Sequence, residues 1–317
     1  MTAGRRRGPV RIPDPALRGG GAADENRHFF RANPMTDQAR SPAARIADAI
    51  TRRFGGTAPR VTADHGLDEL VRIVEHASHR RYADRAVEPD LLRLLLACAF
   101  SAPSKSDLQQ ADVVHLADRK KVEALTALIP SMPWIAQAPV VLVFCGNNRR
   151  IRQIGEWTGK PFANDHLDHF MNAAVDAGIV MTTFIRAAEA VGLATCPISA
   201  VRNHCPELDA LLALPPNVFP IAGLCVGYPA EDNRITPRLP LEVTVHTDRY
   251  DDSGVREKID AYDHRRHELM PYRKQRRTAL FGESAFYGWS EDKARQYAKP
   301  ERADFGAYIR GKGFTLD

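Results

Sequence analysis

The sequence predicts an α+β fold with a central mixed sheet flanked by helices, and three observations predict it. Residues 138–144 (APVVLVF) and 219–227 (FPIAGLCVG) are continuous apolar runs of strand length, the pattern of strands covered on both faces. Residues 167–191 form a helical segment lined almost all round by Ala, Val, Ile and Met, as in a helix central to a core or to a subunit interface. The strands are few, the helices long, and the two do not alternate strictly, which disfavours a doubly wound sheet.

Taken in order, a short helical pattern spans residues 43–54. Residues 67–78 set apolar Leu70, Val71 and Val74 against outward Asp68, Glu69 and Arg72, an amphipathic helix. Pro89 opens the next helix, and Leu91, Leu92, Leu94, Leu95 and Leu96 are expected to pack inward. A strand at 113–116 and a helix at 122–128 precede the first buried strand. The long helix ends at Gly192, a residue suited to a left-handed cap. The second buried strand stops at Tyr228-Pro229. Residues 241–247 read as a short edge strand, and residues 254–310 as polar helices carrying Phe281, Phe286, Tyr287, Trp289, Phe305 and Tyr308. The expected organisation is a disordered or non-native tail over 1–42, with Met35 an alternative start, a core over 43–253, and a helical extension over 254–317 packing on the core or on a partner subunit.

Composition excludes several classes. Of 317 residues, 44% are hydrophobic and 26% charged, an ordinary globular balance, and no apolar run is long enough to span a membrane. The net charge of +5 is concentrated in residues 1–40, which hold eight Arg against four Asp and Glu, so the rest is nearly neutral and nucleic acid is not an expected partner. Five cysteines show neither a CxxC pair nor metal-ligand spacing. They read as free thiols in a reducing compartment, the cytoplasm, and no metal is expected.

Two polar blocks flank the helix opened by Pro89. The first, His76-Ala77-Ser78-His79-Arg80-Arg81-Tyr82, is expected to end the amphipathic helix. The second, Ser104-Lys105-Ser106-Asp107-Leu108-Gln109, lies where the next helix runs into a strand. Both cluster cations and hydroxyls without an apolar role, and together they can converge on an anionic, hydrogen-bonding ligand. Flavin mononucleotide has that chemistry: a phosphate, a chain of hydroxyls and a ring edge rich in acceptors.

With these blocks the chain resembles the nitroreductase superfamily of FMN-dependent oxidoreductases, in particular its larger NADPH-preferring, oxygen-insensitive nitroreductases and flavin reductases. Residues 76–82 look like the family's first flavin block and residues 104–109 like its serine-rich second block. APVVLVFCGNNRR (138–150) resembles the first core strand, and VGLATCPISAVRN (191–203) the loop under the flavin. The segment 223–250, with Gly-Tyr-Pro and Pro-Arg-Leu-Pro, is the most specific likeness. FGAYIRGKGF (305–314) resembles the last helix. The resemblance covers residues 65–317.

It implies a nitroreductase-like fold and an intertwined homodimer with FMN in each of two interface clefts. His76, Ser78 and Arg80 then contact the flavin, as do Ser104, Lys105 and Ser106. Ile198, Ser199 and Ala200 bring backbone to the ring, and Arg238 binds the phosphate. Arg80 is the candidate to stabilise charge at the pyrimidine edge. Arg273 and Arg277, in the basic run 264–277, are candidates for the 2′-phosphate of NADPH. No side chain is needed as catalytic acid or nucleophile, because the flavin carries the chemistry. Hydride passes from NADPH or NADH to flavin and then to a nitroaromatic, quinone or free flavin, with ping-pong kinetics. The family pattern is broken at four places. Ala77 stands where an Arg is usual, Thr236 where a Lys precedes Pro-Arg, and Ser199-Ala200 where there is a Gly-Gly pair. Residues 131–134 lack a Gln that reaches the flavin. Arg81 or Lys105 is expected to replace the lost charge.

A plainer alternative stands beside each assignment. His76 and Arg80 suit a helix C-terminus; Ser104 and Ser106 suit a cap and turn; Arg238 suits a surface, and the 264–277 run a solvated basic face. Asp165, His166, Asp168 and His169 have a metal-like spacing but read better as a solvent-facing helix start capped by Asn164 or Asp165. Three further functional readings stay open: a flavin reductase or specialised dehydrogenase, a non-catalytic flavin-binding member, and a basic nucleic-acid module.

Overall fold

The two apolar runs pair with each other because each supplies a strand with no polar face. The computed structural model describes residues 40–317; the tail and Met35 lie outside the described residues. The chain divides into units Met1–Ser41 and Pro42–Asp317, and the second holds the sheet and its helices. Its strands are β1 (Ala111–His115), β2 (Val140–Asn147), β3 (Ala194–Ile198) and β4 (Val218–Gly227), in the order β1-β2-β4-β3. All three pairings are antiparallel, where a mixed sheet was expected; the long connection from β2 returns β3 to the far edge against β4. The β2–β4 register slips after Phe144, beside Pro220, whose ring removes a ladder donor.

The helices are α1 (Pro42–Phe54), α2 (Leu67–Val74), α3 (Pro89–Phe100), α4 (Arg119–Leu128), α5 (Arg149–Thr158), α6 (Leu167–Ala190), α7 (Cys205–Leu212), α8 (Leu241–Thr244), α9 (Val255–Leu269), α10 (Thr278–Phe281), α11 (Trp289–Tyr297) and α12 (Phe305–Gly311). Successive side chains of a strand point to opposite faces, and β2 divides accordingly. Leu142 and Phe144 join α3 and α6 through Leu95, Phe184 and Ala177, whereas Val141 and Val143 join α4 and α7 through Leu125 and Leu208. Burial of each large side chain here contributes roughly 1.5–3 kcal/mol. Alanines 173, 177 and 188 on α6 are fully buried, and their small size lets this helix lie close to the sheet. No helix among the described residues is long and apolar enough to cross a membrane.

Three sequence expectations are corrected. The helix expected over 67–78 stops at Val74, because the carbonyls of Val74 and His76 accept from the Arg53 guanidinium of α1 instead of from helical N–H groups. The edge strand expected over 241–247 is the one-turn helix α8 following Pro240; the backbone closes on itself there, the Val245 N–H donating to the Leu241 carbonyl at 2.7 Å, and both side chains are exposed. Leu94 is 57% exposed, since five leucines in six positions cannot all face one side of a 3.6-residue helix.

The C-terminal segment is fastened by buried polar groups. Asp263 accepts from the Ser290 N–H at 3.0 Å at the start of α11. Buried Asp292 accepts from Tyr287 and from Arg276, each at 3.0 Å. Tyr308 and Lys312 both donate to Asp209 of α7 at 2.7 Å, which ties α12 to the sheet layer.

Candidate functional site

The first block is an extended segment sewn to its surroundings by backbone. The His79 N–H donates to the Thr195 carbonyl and the Ala83 N–H to Tyr228, both at 2.9 Å, while Asn233 donates to the Ser78 carbonyl. His76 Nδ1 bonds the Glu189 carboxylate near the end of α6. A carboxylate accepts, so Nδ1 carries the hydrogen and Nε2 remains for a ligand. Glu189 also holds Arg186, whose other branch pairs with Glu69 at 2.8 Å. A cleft of about 200 Å³ opens here, lined by His76, Ala77, His79, Glu189 and Pro229. Burial pushes the His79 imidazole below its ordinary range. Arg80 is exposed, its guanidinium 5.8 Å from the Trp134 ring centroid.

Arg238 is brought alongside this block by α1. Arg53, 7% exposed, donates to Val74 O at 3.0 Å, His76 O at 2.7 Å and Thr236 O at 3.4 Å, so one side chain spans the first block and the Arg238 loop. The Arg238 N–H returns a bond to the Arg53 carbonyl at 2.6 Å. Arg265 of α9 donates to the carbonyls of Arg53 at 3.2 Å and Arg238 at 2.8 Å. Among the described residues the exposed Arg238 guanidinium bonds only the Pro237 carbonyl, at 3.3 Å. Among the described residues no carboxylate is hydrogen-bonded to any of these three guanidinium groups. Such a donor set, rich in charge and lacking a counter-ion, fits a phosphate.

The second block lies elsewhere. Asp176 of α6, 2% exposed, accepts from Ser104 Oγ at 2.8 Å, Lys105 N at 3.1 Å and Gln110 N at 3.2 Å. Ser104 Oγ in turn accepts from the Gln109 N–H at 2.8 Å, so this hydroxyl organises the loop, while Ser106 and Lys105 are exposed. Ser106, Asp107 and Gln109 all have positive φ, which is costly without glycine and is held here by the Asp176 bonds. Lys105 Nζ lies 3.9 Å from Asp168, an exposed pair worth little. Thirteen residues separate Asp176 from Glu189 on α6, so the two blocks are anchored about 20 Å apart along one helix. Within one chain they are therefore held apart, and a single ligand would meet both blocks only where two copies come together.

The remaining assignments fall as follows. Ile198 ends β3 with its side chain in the core, and exposed Ser199 and half-buried Ala200 begin the turn after it. The 264–277 run is not one solvated face: Arg276 is held by Asp292, Arg277 donates to Gln296 O at 3.3 Å, and Arg273 is exposed. Arg81, expected to replace lost charge, reaches out to Glu231 at 3.4 Å in an exposed pair. The start of α6 is not simply solvent-facing. Asp165 pairs with Arg152 at 2.6 Å, whereas His169 is buried against Phe162, with ring centroids 4.6 Å apart.

Sequence reasoning missed Arg53, Asp176, Arg186 and Glu189. Signals for them exist. Asp176, Arg186 and Glu189 are the only ionised residues after Asp168 in an otherwise apolar helix, and Arg53 falls with Ile46 and Ala49 on the buried face of α1.

Comparison with known proteins matches this architecture. The model of the nitroreductase family matches residues 73–228, and that of the nitroreductase family C-terminal domain matches residues 236–317. The chain is 32% identical over 255 residues to an FMN reductase [NAD(P)H] of Bacillus subtilis, covering 79% of this chain and 100% of that protein. It is 30% identical to the oxygen-insensitive NADPH nitroreductase of Salmonella typhimurium, covering 76% and 95%. The solved structure of NfrA2 from B. megaterium superposes with a TM-score of 0.72 at 31% identity, covering 79% and 99%. The chain belongs to the nitroreductase family.

Proposed function

We propose that this chain is an FMN-dependent NAD(P)H oxidoreductase that reduces nitroaromatics, quinones or flavins and works as a cytoplasmic homodimer. The observation that carries the reading is the cluster of Arg238, Arg53 and Arg265 beside the first block with no carboxylate bonded to it, an anion site of phosphate type. The names of the relatives, an FMN reductase and an NADPH nitroreductase, support it. Arg238 would hold the phosphate, His76 through Nε2 and Ser78 would meet the chain of hydroxyls, and Arg80 would face the pyrimidine edge, where a cation favours added negative charge. The backbone at Ile198, Ser199 and Ala200 would lie under the ring. Arg273, with Arg277 close in sequence, would meet the 2′-phosphate of NADPH. FMN supplies the hydride-transfer chemistry, and the protein supplies orientation and electrostatics.

The separation of about 20 Å between blocks along α6 supports a flavin shared by two copies, the first block and Arg238 from one and Ser104, Lys105 and Ser106 from the other. Apolar side chains open to solvent on α3 and α6, including Leu94, Phe100, Met171 and Val175, are what a second copy would cover. In this reading residues 43–253 form the FMN-binding core and 254–317 its extension. The test is the visible spectrum of the purified full chain. A flavin spectrum that bleaches with anaerobic NADPH is expected; a colourless protein that takes up no added FMN contradicts the reading.

A further inference from the structure

Helix α1 precedes both stretches matched by the family models, yet it places a buried cation between the first block and the Arg238 loop, two segments assigned to the flavin. A charge removed from water is costly unless an opposite charge or strong hydrogen bonds meet it. Arg53 has neutral carbonyls only. Four of its N–H groups reach Val74, His76 and Thr236, leaving one Nη1 hydrogen without a protein acceptor among the described residues. Glu189, the nearest carboxylate to influence it, is already bonded to His76 and Arg186. Arg238 and Arg265 add two further cations around the same backbone. This is an excess of positive charge that an incoming dianion would balance. Besides that of Val74, the carbonyls that Arg53 gathers belong to His76 and Thr236, the first adjoining Ala77 and the second at the other position where a cation is missing from the family pattern. Arg81 and Lys105 are turned to exposed acidic partners and do not fill the gap.

We infer that Arg53, from a helix outside the family match, is a cofactor-positioning residue that joins the first block to the Arg238 loop and supplies the positive charge absent at Ala77 and Thr236. The inference rests on the flavin-phosphate reading of Arg238. It explains why α2 stops at Val74: the carbonyls that would continue the helix face the guanidinium instead.

The test titrates the full chain, freed of flavin, with FMN and with riboflavin, which lacks the phosphate, following flavin fluorescence. Arg53→Met is expected to weaken FMN by about tenfold or more, the size of one charge-assisted contact, while riboflavin changes by less than about threefold. Adding Thr236→Lys to that variant is expected to restore most of the lost FMN affinity. Equal weakening of both flavins would make Arg53 a scaffold alone and overturn the inference, as would unchanged FMN affinity. Arg238→Ala, measured alongside, separates the two readings. If it leaves FMN affinity unchanged, the phosphate assignment itself fails; if it weakens FMN and Arg53→Met does not, only the Arg53 inference falls. Should Arg53→Met not fold, Thr236→Lys in the otherwise native chain decides. A gain below about threefold is expected because the charge is already present, and a gain of about tenfold would overturn the inference.

Discussion

The first block is gathered by a cation and the second by an anion. Arg53 draws backbone carbonyls of the first block and the Arg238 loop onto one guanidinium, whereas Asp176 draws two backbone amides and a hydroxyl of the second block onto one carboxylate. The same device, a buried charge solvated by backbone, is used with opposite sign, and the sign decides what each end can hold. Around Arg53 the surplus is positive, which in the proposed reading suits the flavin phosphate. Around Asp176 the charge is met by donors of the second block, which in the proposed reading would leave exposed Ser106 to meet the hydrogen-bonding ring. The two ends differ in backbone as well. The first block is extended, while the second holds three non-glycine residues at positive φ and so depends more heavily on its anchor.

The largest effect that would break this comparison is at the anion. Asp176→Ala removes the acceptor of three bonds and is expected to destabilise the flavin-free protein by about 3 kcal/mol or more, since bonds to a charged group are worth about 1.5–3 kcal/mol each. It is expected to weaken FMN and riboflavin alike, because it disturbs the ring end. Selective loss of FMN would show that the second block serves the phosphate, and the contrast would fail.

A smaller effect sharpens the comparison through pH. Burial, and then the charge of Arg152, pushes His169 down to about 4 from an ordinary 6.5. The residue sits on α6, two turns before Asp176. The unfolded chain therefore takes up a proton before the folded chain does. Stability from neutral His169 is complete above about pH 6.5 and is lost as pH falls toward 4, at up to about 1.4 kcal/mol per pH unit. Melting temperatures recorded between pH 7 and 5 are expected to fall with acid in the native chain and to fall less steeply in His169→Phe; parallel slopes would remove His169 as the cause.

Much of this was legible in the sequence, and the failures share one origin. Strands β2 and β4 and helix α6 are set by long apolar runs whose burial any packing must satisfy, so their positions follow from local pattern. The residues of the two blocks and Arg238 were identifiable as polar clusters without an apolar role. Their anchors were less so: Arg53 acts on residues 74, 76 and 236, and Asp176 on residues 104, 105 and 110, distances along the chain that no local period records. For the same reason no local signal marks the end of α2 at Val74. The closeness of the two blocks in sequence does not carry over to one chain's fold, because α3, the short helix between them, runs against a much longer one, and the blocks attach at separate points along it.

In the proposed reading one flavin is held by the two ends of two different chains. Two full-length variants carrying different affinity tags would be co-expressed, one with Arg238→Ala and the other with Ser106→Glu, and the mixed dimer purified through both tags for FMN content. Each variant alone is expected to hold little FMN. In the mixed dimer one cleft combines two native halves and the other two altered halves, so about one FMN per two chains is predicted. A mixed dimer as empty as its parents would mean that both halves of the site come from the same chain, and would contradict the account.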